Sequence, residues 1–198
     1  MHKRIILWGA ALLLSGVFAA ATNGANTTID FNSFSPNIYT SISASGVTFV
    51  PVDPGGSFSV QDAGPNGSRA LLGEGSPRTA IRANISGGTT FVSVDLGDFN
   101  SDPDLFYLRA FNSSNVLLGS STLAVPDSDT SMHTLSVSAA NIDHVEWGAS
   151  PPSLNGSSVY GDKFTFAVPE PIATAPLAAA TLILWRSRSA PRRWSNCK

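Results

Sequence analysis

The chain has 198 residues with a formal net charge of −2. That near-neutral total hides an uneven distribution. Between positions 22 and 167, thirteen acidic residues stand against five basic ones (Arg69, Arg78, Arg82, Arg109 and Lys163), leaving −8. A segment this acidic repels phosphate backbones, which argues against a nucleic-acid partner, and the single cysteine, Cys197, excludes an internal disulfide framework.

The first 21 residues read as a secretory signal peptide. Lys3 and Arg4 precede an apolar run from Ile5 to Phe18, and Ala19, Ala20 and Ala21 supply an A-x-A cleavage site. The run of 14 residues is short of the roughly 20 needed to span a bilayer. Export by the Sec pathway is therefore expected.

The segment 22–167 is rich in Ser, Thr, Asn, Gly and Val and poor in Lys and Glu, which disfavours helices and suits strands joined by tight turns. In "TTIDFNSF" (27–34), Ile29 and Phe31 share a face. In "SGVTFVPV" (45–52), Val47 and Phe49 alternate with polar or small neighbours. "TTFVSVDLGDF" (89–99) sets Phe91 opposite in phase to Val92, Val94 and Leu96. "LFYLRAFN" (105–112) and "VLLGSSTLAV" (116–125) follow, separated by "SSN", and "HTLSVSA" (133–139), "IDHVEWG" (142–148) and "VYGDKFTFA" (159–167) complete the series. Period-2 alternation broken every 8 to 12 residues by Gly, Asn, Ser or Pro predicts an all-β fold. The expected architecture is an antiparallel β-sandwich, jelly-roll-like, of about eight to nine strands. It would be flanked by the signal helix and a C-terminal hydrophobic helix. The first and last strands, "TIDF" and "DKFTFA", are expected to pair and bring the two ends of the segment together.

Candidate chemistry is sparse. Asp98, Asn100, Asp102 and Asp104 alternate through the turn "GDFNSDPD", placing hard oxygen ligands where Ca²⁺ would use them. The loop lacks the glycine and distal glutamate of an EF-hand, and a solvated hairpin loop is the competing reading. Asp30 and Asp162, on the paired terminal strands, form a second possible cation site, because adjacent carboxylates need a counter-charge or a proton. Trp147, Tyr107, Tyr160 and Phe106 are candidates for a sugar platform, since ring faces stack on pyranose C–H surfaces. His133 and His144 have no G-x-S-x-G elbow to serve, and Glu74 with Glu146 is a conceivable glycosidase-type carboxylate pair whose separation the sequence does not give. No catalytic residue is assigned, and no cofactor is expected beyond the possible Ca²⁺.

After the last strand comes "VPEP" (Val168, Pro169, Glu170, Pro171), then an apolar run from Ile172 to Trp185, then Arg186, Arg188, Arg192 and Arg193. The prolines keep the motif extended and open to a protease. The apolar run reaches about 21 Å as a helix against a bilayer core of about 30 Å, and the arginines stop transfer. Motif, short apolar helix and arginine cluster, over 168–193, resemble the PEP-CTERM sorting domain of Gram-negative bacteria. Pro176 interrupts the apolar run, and "APRRWSNCK" extends the tail. The resemblance implies that an exosortase-type membrane protease recognises Pro169, Glu170 and Pro171. It implies transient anchoring in the inner membrane, delivery to the cell surface or matrix, and a setting of exopolysaccharide and biofilm production. The segment 22–167 also looks like the β-sandwich domains found on such proteins, in "GVTF", "VSVDLGDF", "LRAFNSSNVLLGS" and "YGDKFTF". The function expected from these features is a non-enzymatic, structural or adhesive envelope protein. Its alternatives are a Ca²⁺-dependent carbohydrate-binding module and a glycan-acting hydrolase, with extracellular polysaccharide as the implied partner.

Overall fold

The computed structural model describes residues 24–62, 67–75, 78–98, 103–126, 129–150 and 159–168. The signal peptide, the motif from Pro169 onward with the apolar run 172–185 and its arginines, and the loop residues Asn100 and Asp102 lie outside the described residues.

Eleven strands, all paired antiparallel, make up the described residues, and no helix occurs among them. They are β1 (Asn26–Ile29), β2 (Asn37–Tyr39), β3 (Ile42–Ala44), β4 (Val47–Pro51), β5 (Phe58–Gln61), β6 (Ala70–Gly73), β7 (Ile81–Asp98), β8 (Asp104–Phe111), β9 (Leu117–Val125), β10 (His133–Ala149) and β11 (Val159–Ala167). The hydrogen-bonded order is β2-β5-β6-β11-β7-β10-β8-β9, with β1 on β11, and β3 on β4, which pairs with β7. The count exceeds the expected eight to nine. The short strands β2, β3, β5 and β6 carry too few residues for a period to show, and "IRANIS" was not anticipated as the first half of β7.

Two long strands organise everything else. The first half of β7 pairs with β4 (Ile81↔Pro51 to Ile85↔Val47), and the second half pairs with β11 (Val92↔Phe166 to Asp98↔Val159). Between the halves lie Gly87 and Gly88, at φ of 82° and 71°, a backbone region that glycine enters without steric cost. Strand β10, the neighbour of β7, turns at the same level. Its register shifts between Ser138 and Ile142 and again before His144, and Asn141 adopts φ of 61°. "SGG" and "AANID" are thus corners within continuous strands, where the sequence suggests breaks between separate ones.

The corner folds the sheet over, so that its two arms face each other. Phe49 on β4 meets Phe164 on β11 edge-on at 5.3 Å between ring centroids. Trp147 on β10 lies 5.9 Å from Phe164 and 6.1 Å from Phe49, and Phe31, just past β1, packs edge-on to Phe49 at 5.2 Å. Offset and edge-on contacts of this kind suit the aromatic quadrupole. These rings, with Val92, Val94 and Leu96 of β7 and Phe106 and Leu108 of β8, form one buried core, an arrangement consistent with a β-sandwich. The phases expected for Ile29, Phe31, Val47, Phe49, Val92, Val94 and Leu96 all point inward.

The terminal strands pair as expected. Asn26↔Ala167 through Ile29↔Phe164 are in register, and the Val168 amide donates to the Ala25 carbonyl at 3.1 Å. Both ends of the segment therefore leave the fold at one place.

Candidate functional site

One cleft of about 320 Å³ opens where the ends of β4, β6 and β10 and the starts of β7 and β11 come together beside β8, with the buried Ile81 and Trp147 among its lining residues. Its walls come from Val52 and Asp53 after β4, from Arg78 and Thr79 before β7, from Tyr107 and Arg109 of β8, and from Gly148 to Ser150 at the end of β10.

The pleat places these groups. Along β8 the residues Phe106, Leu108 and Ala110 are buried, so Leu105, Tyr107 and Arg109 face outward. Across the strands, Arg109 sits opposite Glu146, Glu146 sits opposite Arg82, and Tyr107 sits opposite Gly148. The glycine is what lets the tyrosine lie down. A Cβ at position 148 would stand 3.1 Å from the Tyr107 hydroxyl and 3.3 Å from its Cζ, so the phenol lies against the space that a side chain there would fill. The guanidinium of Arg109 stacks on the same ring, 4.3 Å from its centroid.

The charges around the cleft are mostly committed. Arg82 donates from Nε (3.0 Å) and from an Nη (2.6 Å) to the same oxygen of Glu146. Arg78 donates to the Gly73 carbonyl at 2.9 Å and lies 3.7 Å from the Glu74 carboxylate. Thr79 is buried; its hydroxyl accepts from the Asp53 amide at 3.2 Å and donates to the Ala80 carbonyl, tying the loop after β4 to the start of β7. Burial pushes the Tyr107 phenol above its ordinary pKa. The nearby Arg109 charge opposes that rise, and Glu146 and Asp53 add to it. Tyr107 is therefore a neutral hydrogen-bonding group at physiological pH.

The sugar-platform residues separate sharply. Phe106 and Trp147 are core, at 0% and 1% exposure, and cannot offer a ring face to a ligand. Tyr160 is buried in a small second cluster with Ala70 and Leu72. Only Tyr107 of the four is half-exposed at the cleft. The expectation failed for the other three because an aromatic on an inward phase is worth more as core than as platform. Asp53, Arg78, Thr79 and Arg109 were not anticipated. The available signal was the spacing of Tyr107 and Arg109, two apart on a strand whose alternate positions are apolar.

Of the carboxylate pair, Glu74 is engaged with Arg78 and Glu146 with Arg82. His133 contacts Asp129 at 2.9 Å, and His144 is buried, stacked on Phe111 with ring centroids 5.1 Å apart; neither lines the cleft. In the acidic turn, Asp98 ends β7 and Asp104 begins β8, both buried, while Asn100 and Asp102 lie outside the described residues. Asp30 is exposed just past β1. Asp162 is buried on β11, where one oxygen accepts from the Ser68 hydroxyl at 2.6 Å and the other from the Lys163 amide at 2.7 Å. Among the described residues no group of three or more His, Cys, Asp or Glu side chains is placed to hold a metal ion. Val168, first residue of the sorting motif, is exposed at the end of the fold.

No family model and no curated protein matches the chain. Solved structures similar to it include a family 29 carbohydrate-binding module bound to mannohexaose, 15% identical with a TM-score of 0.47, covering 74% of this chain and 93% of that one. The xylan-binding CBM22-1 domain of Paenibacillus barcinonensis Xyn10C is 12% identical with a TM-score of 0.48, covering 77% and 99%. An arabinose-bound GH51 α-L-arabinofuranosidase is 11% identical with a TM-score of 0.48, and there the chain covers 70% of itself but spans only 25% of the enzyme. These are loose likenesses of chain path.

Proposed function

We propose that the chain is an exported, jelly-roll-like β-sandwich that binds polysaccharide in the Tyr107 cleft without chemical turnover, and that its C-terminal signal delivers it to the cell envelope. The cleft carries this reading. It sets a half-exposed phenol, with Arg109 stacked on its ring, beside fixed polar groups, a combination that can take a sugar's hydroxyls while the sugar packs against the edge of the aromatic. Of the carboxylates near it, Glu74 and Glu146 are held by arginines, an arrangement suited to shaping a surface rather than to moving protons. The sorting role rests on the order of residues 168–193.

Affinity electrophoresis of the exported protein through gels containing xylan, mannan or β-glucan tests the binding. At least one polymer should retard the wild type, and Tyr107→Ala should weaken that retardation about tenfold, or roughly 1.4 kcal/mol. Migration unchanged by every polymer, or retardation indifferent to Tyr107→Ala, would remove the cleft as a glycan site.

A further inference from the structure

We infer that the cleft selects acidic glycans, with Arg109 holding the carboxylate of a uronate residue; this rests on the glycan-binding reading above and narrows it. The first observation is where the positive charge lies. Segment 22–167 has five basic residues against thirteen acidic ones, yet two of the five, Arg78 and Arg109, line the cleft, and a third, Arg82, lies across β10 from Arg109. With Asp53, Glu74 and Glu146 they bring that region to local neutrality on a strongly acidic domain, so an approaching anion meets less repulsion there than the segment's net charge would impose.

The second observation is how the three differ. Arg82 is spent on Glu146, and Arg78 on Gly73 and Glu74. Arg109 sits directly across from Glu146, but Glu146 is paired with Arg82, whose two N–H groups share one of its oxygens. Among the described residues no carboxylate pairs with Arg109, which is exposed and stacks on Tyr107. Stacking engages the face of a guanidinium and leaves its in-plane N–H fork, which matches a carboxylate in a bidentate pair. A uronate carries its carboxylate directly on the pyranose ring. The sugar ring would pack beside Tyr107 while the carboxylate meets the fork of Arg109, and Asp53 at the rim would accept from a hydroxyl. At about 320 Å³ the cleft is at the small end for ligand sites, suited to one or two sugar units of a chain.

The test uses the full exported protein and matched polymers: polygalacturonate and glucuronoxylan, each beside its carboxyl-reduced form, with dextran sulfate as a non-carboxylate polyanion. The wild type should bind at least one acidic polymer about tenfold more tightly than its reduced form and more tightly than dextran sulfate. Arg109→Gln should abolish that preference while keeping the wild-type melting temperature, Arg109→Lys should restore part of it, and Lys163→Gln, remote from the cleft, should retain it in full. Equal binding of acidic and reduced polymers would overturn the uronate inference and leave the glycan site standing. Binding to none would remove both. A preference that survives Arg109→Gln, or dextran sulfate bound as tightly as the uronates, would assign the selectivity to bulk charge and overturn the inference.

Discussion

Gly161 on β11 offers the sharpest test of the packing beneath the cleft. A Cβ built there would stand 2.4 Å from Trp147 Nε1, 2.9 Å from Cε2 and 3.2 Å from Cζ2. Ordinary contact begins near 3.4 Å, so Gly161→Ala requires the indole to retreat by about 1 Å. The indole is 1% exposed with Phe49 and Phe164 against it, and the open space it borders is the cleft. Overpacking a core in this way costs about 3 kcal/mol. In a domain of this size that lowers the melting temperature by roughly 10 °C. Circular dichroism melting of both proteins measures it. Gly46→Ala is the comparison, because a Cβ there meets nothing within 4 Å and the strain comes only from φ of 81°, about 1–2 kcal/mol. Trp147 also precedes Gly148, whose empty side-chain position accommodates Tyr107, so the displaced indole should weaken polysaccharide retardation as well. A Gly161→Ala protein melting within about 2 °C of wild type, or above Gly46→Ala, would refute a close-packed indole and with it the rigid floor assigned to the cleft.

Phe164→Ala removes the ring that contacts Phe49, Trp147 and Phe166, and urea denaturation should record a loss of about 3–5 kcal/mol. Tyr107 and Tyr160 both have pKa values raised chiefly by burial. The folded state then holds protons that the unfolded state releases, so stability should fall as pH rises above the ordinary tyrosine value near 10; absorbance titration should show two late phenols, and Tyr107→Phe should remove one and part of the alkaline loss. Asp129 moves the other way, lowered first by the Ser131 amide that donates to it at 2.8 Å. Its contribution is present above the unfolded carboxylate pKa and lost as pH falls through the folded one, so an NMR titration should place its midpoint below that of a free aspartate. For the sorting signal, intact mass and cell fractionation of wild type against Glu170→Ala should show the tail removed only in the wild type, and equal retention in both would sink the processing role.

What the sequence made legible, and what it hid, follows from how far each signal reaches along the chain. The inward phases of β4 and the second half of β7 were visible because alternation is local, and so was the pairing of β1 with β11, since both ends alternate strongly. The corners were not. Gly87-Gly88 and Asn141 are turn residues by composition, and only their placement opposite one another across β7 and β10 converts two breaks into one fold of the sheet. The cleft was hidden for the same reason. Arg82, Glu146 and Arg109 are 64 and 37 residues apart in sequence, and become neighbours only through the registers Arg82↔Glu146 and Glu146↔Arg109. A register slip of one residue in either ladder would send those side chains into the core. The inward set on the same strands, Trp147, Leu108 and Ala83, prevents that slip, because it cannot be moved to solvent without losing the aromatic cluster. The chemistry of the outer face is thus fixed by the packing of the inner one. That dependence is why Gly161→Ala, a change made on the far side of Trp147, should be felt at Tyr107.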